Sequence, residues 1–137
     1  MSALIEIKDM SKIYKMGSEQ VHALDGVDIT IQHKEFVAIV GPSGSGKSTL
    51  MNMIGCLDAP TKGSYLLDGV DVAQLTDKEL TLIRRKKIGF VFQQFNLLKK
   101  SSALENVELP AMYNGSDGGQ RKTLAKTALN LVGLGDE

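Results

Sequence analysis

Eight consecutive residues carry the strongest chemical signal in the chain. Gly41-Pro42-Ser43-Gly44-Ser45-Gly46-Lys47-Ser48 fits the spacing G-x-x-x-x-G-K-[ST] at every fixed position. Glycines let a backbone curl tightly and turn successive N–H groups inward, forming a nest for an anion. A helix starting at the same point aims its positive end at that anion. Lys47 adds a mobile point charge suited to β- and γ-phosphates. Ser48 adds a hydroxyl oxygen, the kind of ligand Mg²⁺ prefers. The plain alternative is a Gly/Ser-rich turn between a strand and a helix, and the flanks weigh against it. Phe36-Val37-Ala38-Ile39-Val40 is a continuous apolar run, the pattern of a strand buried on both faces of a parallel sheet. After the loop, residues 48–57 place Leu50, Met51, Met53, Ile54 and Leu57 on a broad apolar helix face.

The elements that must position this loop can be read on either side of it. Leu4 to Lys8 alternates loosely and Val27 to Ile31 strictly, as half-buried strands do. Ser64-Tyr65-Leu66-Leu67, set between the turn signals Pro60–Gly63 and Asp68-Gly69, predicts a short strand. Thr76-Asp77-Lys78-Glu79 is a capping-box pattern opening a helix that runs to about Lys87. A second all-apolar strand is expected over Ile88-Gly89-Phe90-Val91-Phe92, ending at Gln93-Gln94. Helices are expected over about Ala103–Tyr113 and Arg121–Val132, separated by Asn114–Gly119.

Composition sets the class. A chain of 137 residues, 42% apolar, has room for one domain-sized core. Sixteen Lys+Arg balance sixteen Asp+Glu, which argues against a general coating of nucleic acid or membrane. One cysteine, Cys56, excludes an intramolecular disulfide framework or a zinc cluster and suits a reducing compartment. No window approaches 18 apolar residues, so no membrane-spanning helix is expected, and the acidic start lacks a signal peptide's pattern. The reading is a soluble, intracellular protein.

The loop, Tyr14 upstream, and Phe90-Val91-Phe92-Gln93-Gln94-Phe95-Asn96-Leu97-Leu98 downstream together resemble the ATP-binding subunit of an ABC transporter. Leu24-Asp25-Gly26-Val27, Gly55-Cys56-Leu57-Asp58, Ala103-Leu104-Glu105-Asn106-Val107 and the segment Leu75–Lys87 fit as well, and point to the lipoprotein-release, macrolide-export and cell-division branch. The resemblance implies an α/β P-loop NTPase fold of ABC type. Its parts would be an antiparallel β subdomain over 1–35, the phosphate-loop strand-loop-helix over 36–57, a β insert, helix and second core strand over 58–92, and the Gln hinge with the start of the helical subdomain over 93–137. It also implies ATP and Mg²⁺, with Gly41, Pro42, Ser43, Gly44, Ser45, Gly46, Lys47, Ser48 and Thr49 on the phosphates. Tyr14 would stack on adenine, although taken alone it reads as an ordinary strand-end aromatic. Gln93 would reach Mg²⁺ or the attacking water through its amide oxygen, beside the bland reading of a polar residue ending a strand. Phe95–Leu98 would lie near the membrane partner. By the same resemblance the intact protein is a homodimer working with a membrane-embedded permease, peripheral at the cytoplasmic face of the cell membrane.

Three further family parts have no adequate counterpart: a signature loop, an apolar strand ending Asp-Glu, and a switch histidine. Ser116-Asp117-Gly118-Gly119-Gln120 imitates the signature but falls too soon after Gln93, and reads as a loop leading into a helix. Leu131–Glu137 imitates the acidic strand, yet Gly133 suits a helix C-terminus. His22 and His33 both precede the phosphate loop and read as exposed strand-end or turn residues. Arg84-Arg85-Lys86-Lys87 reads as a basic helix end answering the dipole rather than a nucleic-acid patch. The expectation is therefore a truncated ABC domain that binds nucleotide with negligible hydrolysis. Its two apolar strands, left with unpaired edges, are expected to drive self-association or to pair in a way the family does not. The alternatives are an interaction module without turnover and a soluble ABC ATPase acting on nucleic acid.

Overall fold

The structure, a computed structural model, describes residues 3–135 and divides between Ile88 and Gly89 into two compact units. The first unit is built on a four-stranded antiparallel sheet of order β2-β1-β3-β4. Strands β1 (Ile5–Met16) and β2 (Glu19–Ile31) form a hairpin far longer than the sequence pattern implies. Gly17, at φ 65°, supplies the positive φ that a two-residue turn requires. The pattern is hidden because the register shifts three times between Ile7 and Ile13, so inward and outward positions do not alternate. Strand β3 (Lys62–Leu67) pairs with β1, placing Tyr65 opposite Ile7 and Leu67 opposite Ile5, and ends in a two-residue return, β4 (Val70–Asp71).

Helix α1 (Lys47–Ile54) packs Leu50 and Met53 onto Ile5, Ile7, Met10, Leu24, Tyr65 and Leu67, and this cluster is the core. Helix α2 (Asp77–Lys87) opens with the expected capping box at Thr76 and Glu79. It has no buried residue, and Leu80 and Ile83 are only partly covered against the core. Arg84 at its basic end donates to the Cys56 carbonyl at 2.6 Å, and Lys87 pairs with Asp68. His33 lies in the turn after β2, with Nε2 3.7 Å from Asp68 Oδ1.

In the second unit α3 (Ala103–Tyr113) packs on α4 (Gly118–Leu131). A capping box at Ser102 and Glu105 starts α3, and the Asn106 side chain pins the preceding loop by bonding Leu98 N, Ser101 O and Ser102 O. Helix α4 begins three residues before the expected Arg121, because the Asp117 carboxylate accepts from Gly119 N and Gln120 N. Gly118–Gln120 are thus helix rather than loop. Gly133, at φ 78°, ends the helix as expected, while Asp136 and Glu137 lie outside the described residues.

Two expected strands do not form. Phe36–Val40 and Ile88–Phe92 are not strands, and neither joins a ladder among the described residues. A strand exists only through its partners' hydrogen bonds, whatever its composition. The burial expected of Phe36–Val40 fails with the pairing: Phe36 is 96% and Val40 86% exposed.

Candidate functional site

The Gly41–Ser48 loop is carried by the core rather than by a sheet strand. Leu50 and Met53 anchor α1, and the helix begins at Gly46, whose φ of 87° lies in the left-handed region. A Cβ at Gly46 would stand 2.4 Å from the Ala23 carbonyl oxygen, so the backbone of the loop rests directly on β2. The first intrahelical bond runs from Leu50 N to Gly46 O at 2.8 Å. Helix geometry leaves the preceding N–H groups without intrahelical acceptors. No side chain caps them, and no acidic residue sits in the first turn. Lys47 folds back across the loop, donating to Pro42 O at 2.5 Å and Ser45 Oγ at 3.2 Å. Ser43, Gly44, Gly46, Lys47, Ser48 and Thr49 line one side of a cavity whose other side is Val21, His22 and Ala23, and none of these residues is a carboxylate.

The contribution of β2 was not legible in the sequence. A glycine at position 46 signals a close backbone approach, but not which strand approaches. His22 is exposed as expected, but it sits inside β2 opposite Ile13 and lines this cavity, so it is neither a strand end nor a turn.

Tyr14 belongs to the same unit and lies opposite Val21 in the β1–β2 ladder, which connects it to the loop cavity. Tyr14 is 36% exposed, and its hydroxyl donates to Asp58 Oδ2 at 3.0 Å. Desolvation, and then the Asp58 carboxylate, push the phenol above its ordinary value, while the Thr49 hydroxyl beside it pulls the other way. Asp58 follows α1 in the Gly55–Asp58 segment and accepts from Lys12 Nζ at 2.7 Å and from Ala59 N at 2.7 Å. Desolvation raises the Asp58 carboxyl, but Lys12, the Ala59 N–H and Tyr14 outweigh it and hold the group below its usual value. Lys12 Nζ also donates to Ala59 O and lies 5.0 Å from the Tyr14 ring centroid.

Gln93 lies in the second unit, exposed, in a groove with Phe95, Leu97, Leu98 and Asn106. The described residues hold no cluster of three or more His, Cys, Asp or Glu side chains arranged for a metal ion. No described helix is long and apolar enough to cross a membrane.

The profile of a family described as "ABC transporter" matches residues 24–137. An uncharacterised ABC transporter ATP-binding protein of Thermotoga maritima is 52% identical over 136 residues, 99% of this chain and 58% of the relative. The macrolide export ATP-binding/permease protein MacB of Hyphomonas neptunium is 52% identical over 133 residues, 97% of this chain and 21% of MacB. Among solved structures, the dimeric post-hydrolysis state of the ATP-binding cassette MJ0796 bound to ADP and Pi superimposes with a TM-score of 0.86 at 50% identity, covering 92% of this chain and 56% of that one. The chain thus spans a little over half the length of the Thermotoga maritima relative and of the MJ0796 chain.

Proposed function

Because the chain belongs to the ABC transporter family and has the α/β fold of its ATPase cassettes, we propose that it is the ATP-binding portion of a transporter ATPase. The triphosphate would lie on Gly41–Thr49 and adenine on Tyr14. One observation carries this reading. Of the four described α-helices, α1 is the one without a side-chain cap, and its open N–H groups face a cavity that Lys47 borders. The Lys47 ammonium, resting on Pro42 O and Ser45 Oγ, exchanges those contacts for phosphate oxygens.

The donor set fits Mg²⁺ as this metal is usually held: Ser48 offers one hydroxyl oxygen from the cavity wall, and phosphates and water complete the shell. Bound there, the ion neutralises charge on the phosphate oxygens. Gln93 is proposed to meet Mg²⁺ or the attacking water through its amide oxygen.

The intact protein is proposed to hydrolyse ATP as a dimer at the cytoplasmic face of a membrane, driving a permease. The dimeric MJ0796 cassette and the permease named in MacB support that assembly. This chain is proposed to bind without turnover, because the described residues that line the loop cavity include no carboxylate to polarise water. Equilibrium binding of MgATP tests the site. Lys47→Ala is expected to weaken binding roughly 30-fold, about 2 kcal/mol for a charge-assisted contact. Unchanged affinity would overturn the assignment, and phosphate release abolished by Lys47→Ala would overturn the absence of turnover. The exposed apolar side chains of Phe36, Val40, Val91 and Phe92 support self-association, by apolar contact rather than through strand edges. A single monomeric boundary in sedimentation velocity at micromolar concentration refutes it.

A further inference from the structure

We infer that Asp58 and Lys12 are positioning residues for Tyr14, holding its ring as a prepared platform for the base; the inference rests on the base-stacking reading of Tyr14. The two oxygens of Asp58 divide their work. Oδ1 accepts from Lys12 Nζ and Ala59 N, each at 2.7 Å, which leaves Oδ2 for the Tyr14 hydroxyl at 3.0 Å. The carboxylate is therefore fixed by two donors before it fixes the third.

Tethering the turn after α1 to β1 does not explain this arrangement. That tether is made separately, by Thr61 N to Ser11 O at 2.8 Å and by Ile13 N to Thr61 Oγ1 at 3.0 Å. The bond to Tyr14 adds a defined direction for an exposed ring. Lys12, its ammonium 5.0 Å from the ring centroid, occupies one face, so a stacked base would take the opposite one. A ring held in its binding orientation spares the ligand the ordering cost that a free rotor imposes. Asp58 also comes from the turn that ends α1, the helix whose start forms the phosphate loop, so one short element sets both ends of the nucleotide site.

The test compares ATP with inorganic tripolyphosphate, which has the phosphates and no base, on the full chain. Tyr14→Ala is expected to lower the ratio of ATP to tripolyphosphate affinity about tenfold, the worth of one stacked base. Asp58→Ala is expected to lower it about threefold with tripolyphosphate binding unchanged. In a Tyr14→Phe background, Asp58→Ala is expected to have no further effect, since the hydroxyl it acts through is gone. A ratio unmoved by Tyr14→Ala, or a wild-type chain that binds neither probe, overturns the stacking reading and the inference with it. If Tyr14→Ala lowers the ratio while Asp58→Ala does not, or does so equally in the Phe background, stacking stands and the positioning role fails.

Discussion

Helices α1 and α2 lie in the same unit and start in opposite ways. At α2 the orphan donors of the first turn are met locally: Thr76 Oγ1 accepts from Glu79 N, and Glu79 Oε2 accepts from Thr76 N at 2.9 Å. At α1 the cap is a left-handed glycine that has no side chain to offer. Burial is distributed the other way. Leu50 and Met53 of α1 are among the core residues, each worth about 1.5–3 kcal/mol when fully covered. Helix α2 buries none of its residues, and its stability leans on its cap and its charged ends. A helix can leave its N-terminus open for a ligand when side-chain burial offsets the missing cap. Where burial is thin, the cap is needed for the helix itself.

This contrast can be broken, and the largest effect is expected at Gly46. Gly46→Ala puts a methyl group against the Ala23 carbonyl at a left-handed φ. It is expected to cost about 3 kcal/mol of stability, read as a fall in the urea midpoint. A midpoint equal to wild type would show that the loop does not rest on β2. Removing the cap of α2 with Thr76→Ala is expected to cost about 1 kcal/mol and to leave MgATP affinity unchanged. Loss of nucleotide binding without loss of stability in that variant would contradict the division of labour between the two helices.

The smallest effect concerns pH. Thr76 hydrogen bonds, through its backbone and then its hydroxyl, hold the Glu79 carboxyl below its ordinary 4.5. A depressed carboxylate stabilises the fold above its unfolded pKa, and that contribution fades as pH falls from about 4.5 through the lower folded value. Urea midpoints measured from pH 6 to pH 3 are expected to decline slightly more steeply in wild type than in Glu79→Gln, which has no carboxyl to titrate, and parallel curves would count against the box.

How much of this could be read in advance depended on how local the cause was. The α2 capping box is written in four residues, and both its partners sit where the pattern puts them. The β3 strand over Ser64–Leu67 was equally plain, with a turn on each side. The first turn of α4 was missed because Gly118 and Gly119 are poor helix formers, while the single Asp117 carboxylate caps them. The β1–β2 hairpin was missed over residues 9–26 because its bulges destroy the alternation on which strand reading depends. Asp58 stood within a recognised segment, yet nothing in its neighbours' identities pointed to a phenol 44 positions upstream.

By itself the sequence determined what is covalent and short-ranged. The order of glycines, lysine and serine in residues 41–48, the start of α2, and the apolar character of 36–40 and 88–92 all follow from nearest neighbours. The tertiary structure decided what needs a partner from elsewhere in the chain. It laid Gly46 on the Ala23 carbonyl, lined the loop cavity with Val21–Ala23, tied Tyr14 to Asp58, and left the two apolar runs outside any sheet. The reason is physical: a turn or a cap is closed by residues a few positions apart, whereas a ladder or a cavity wall exists only once distant segments meet.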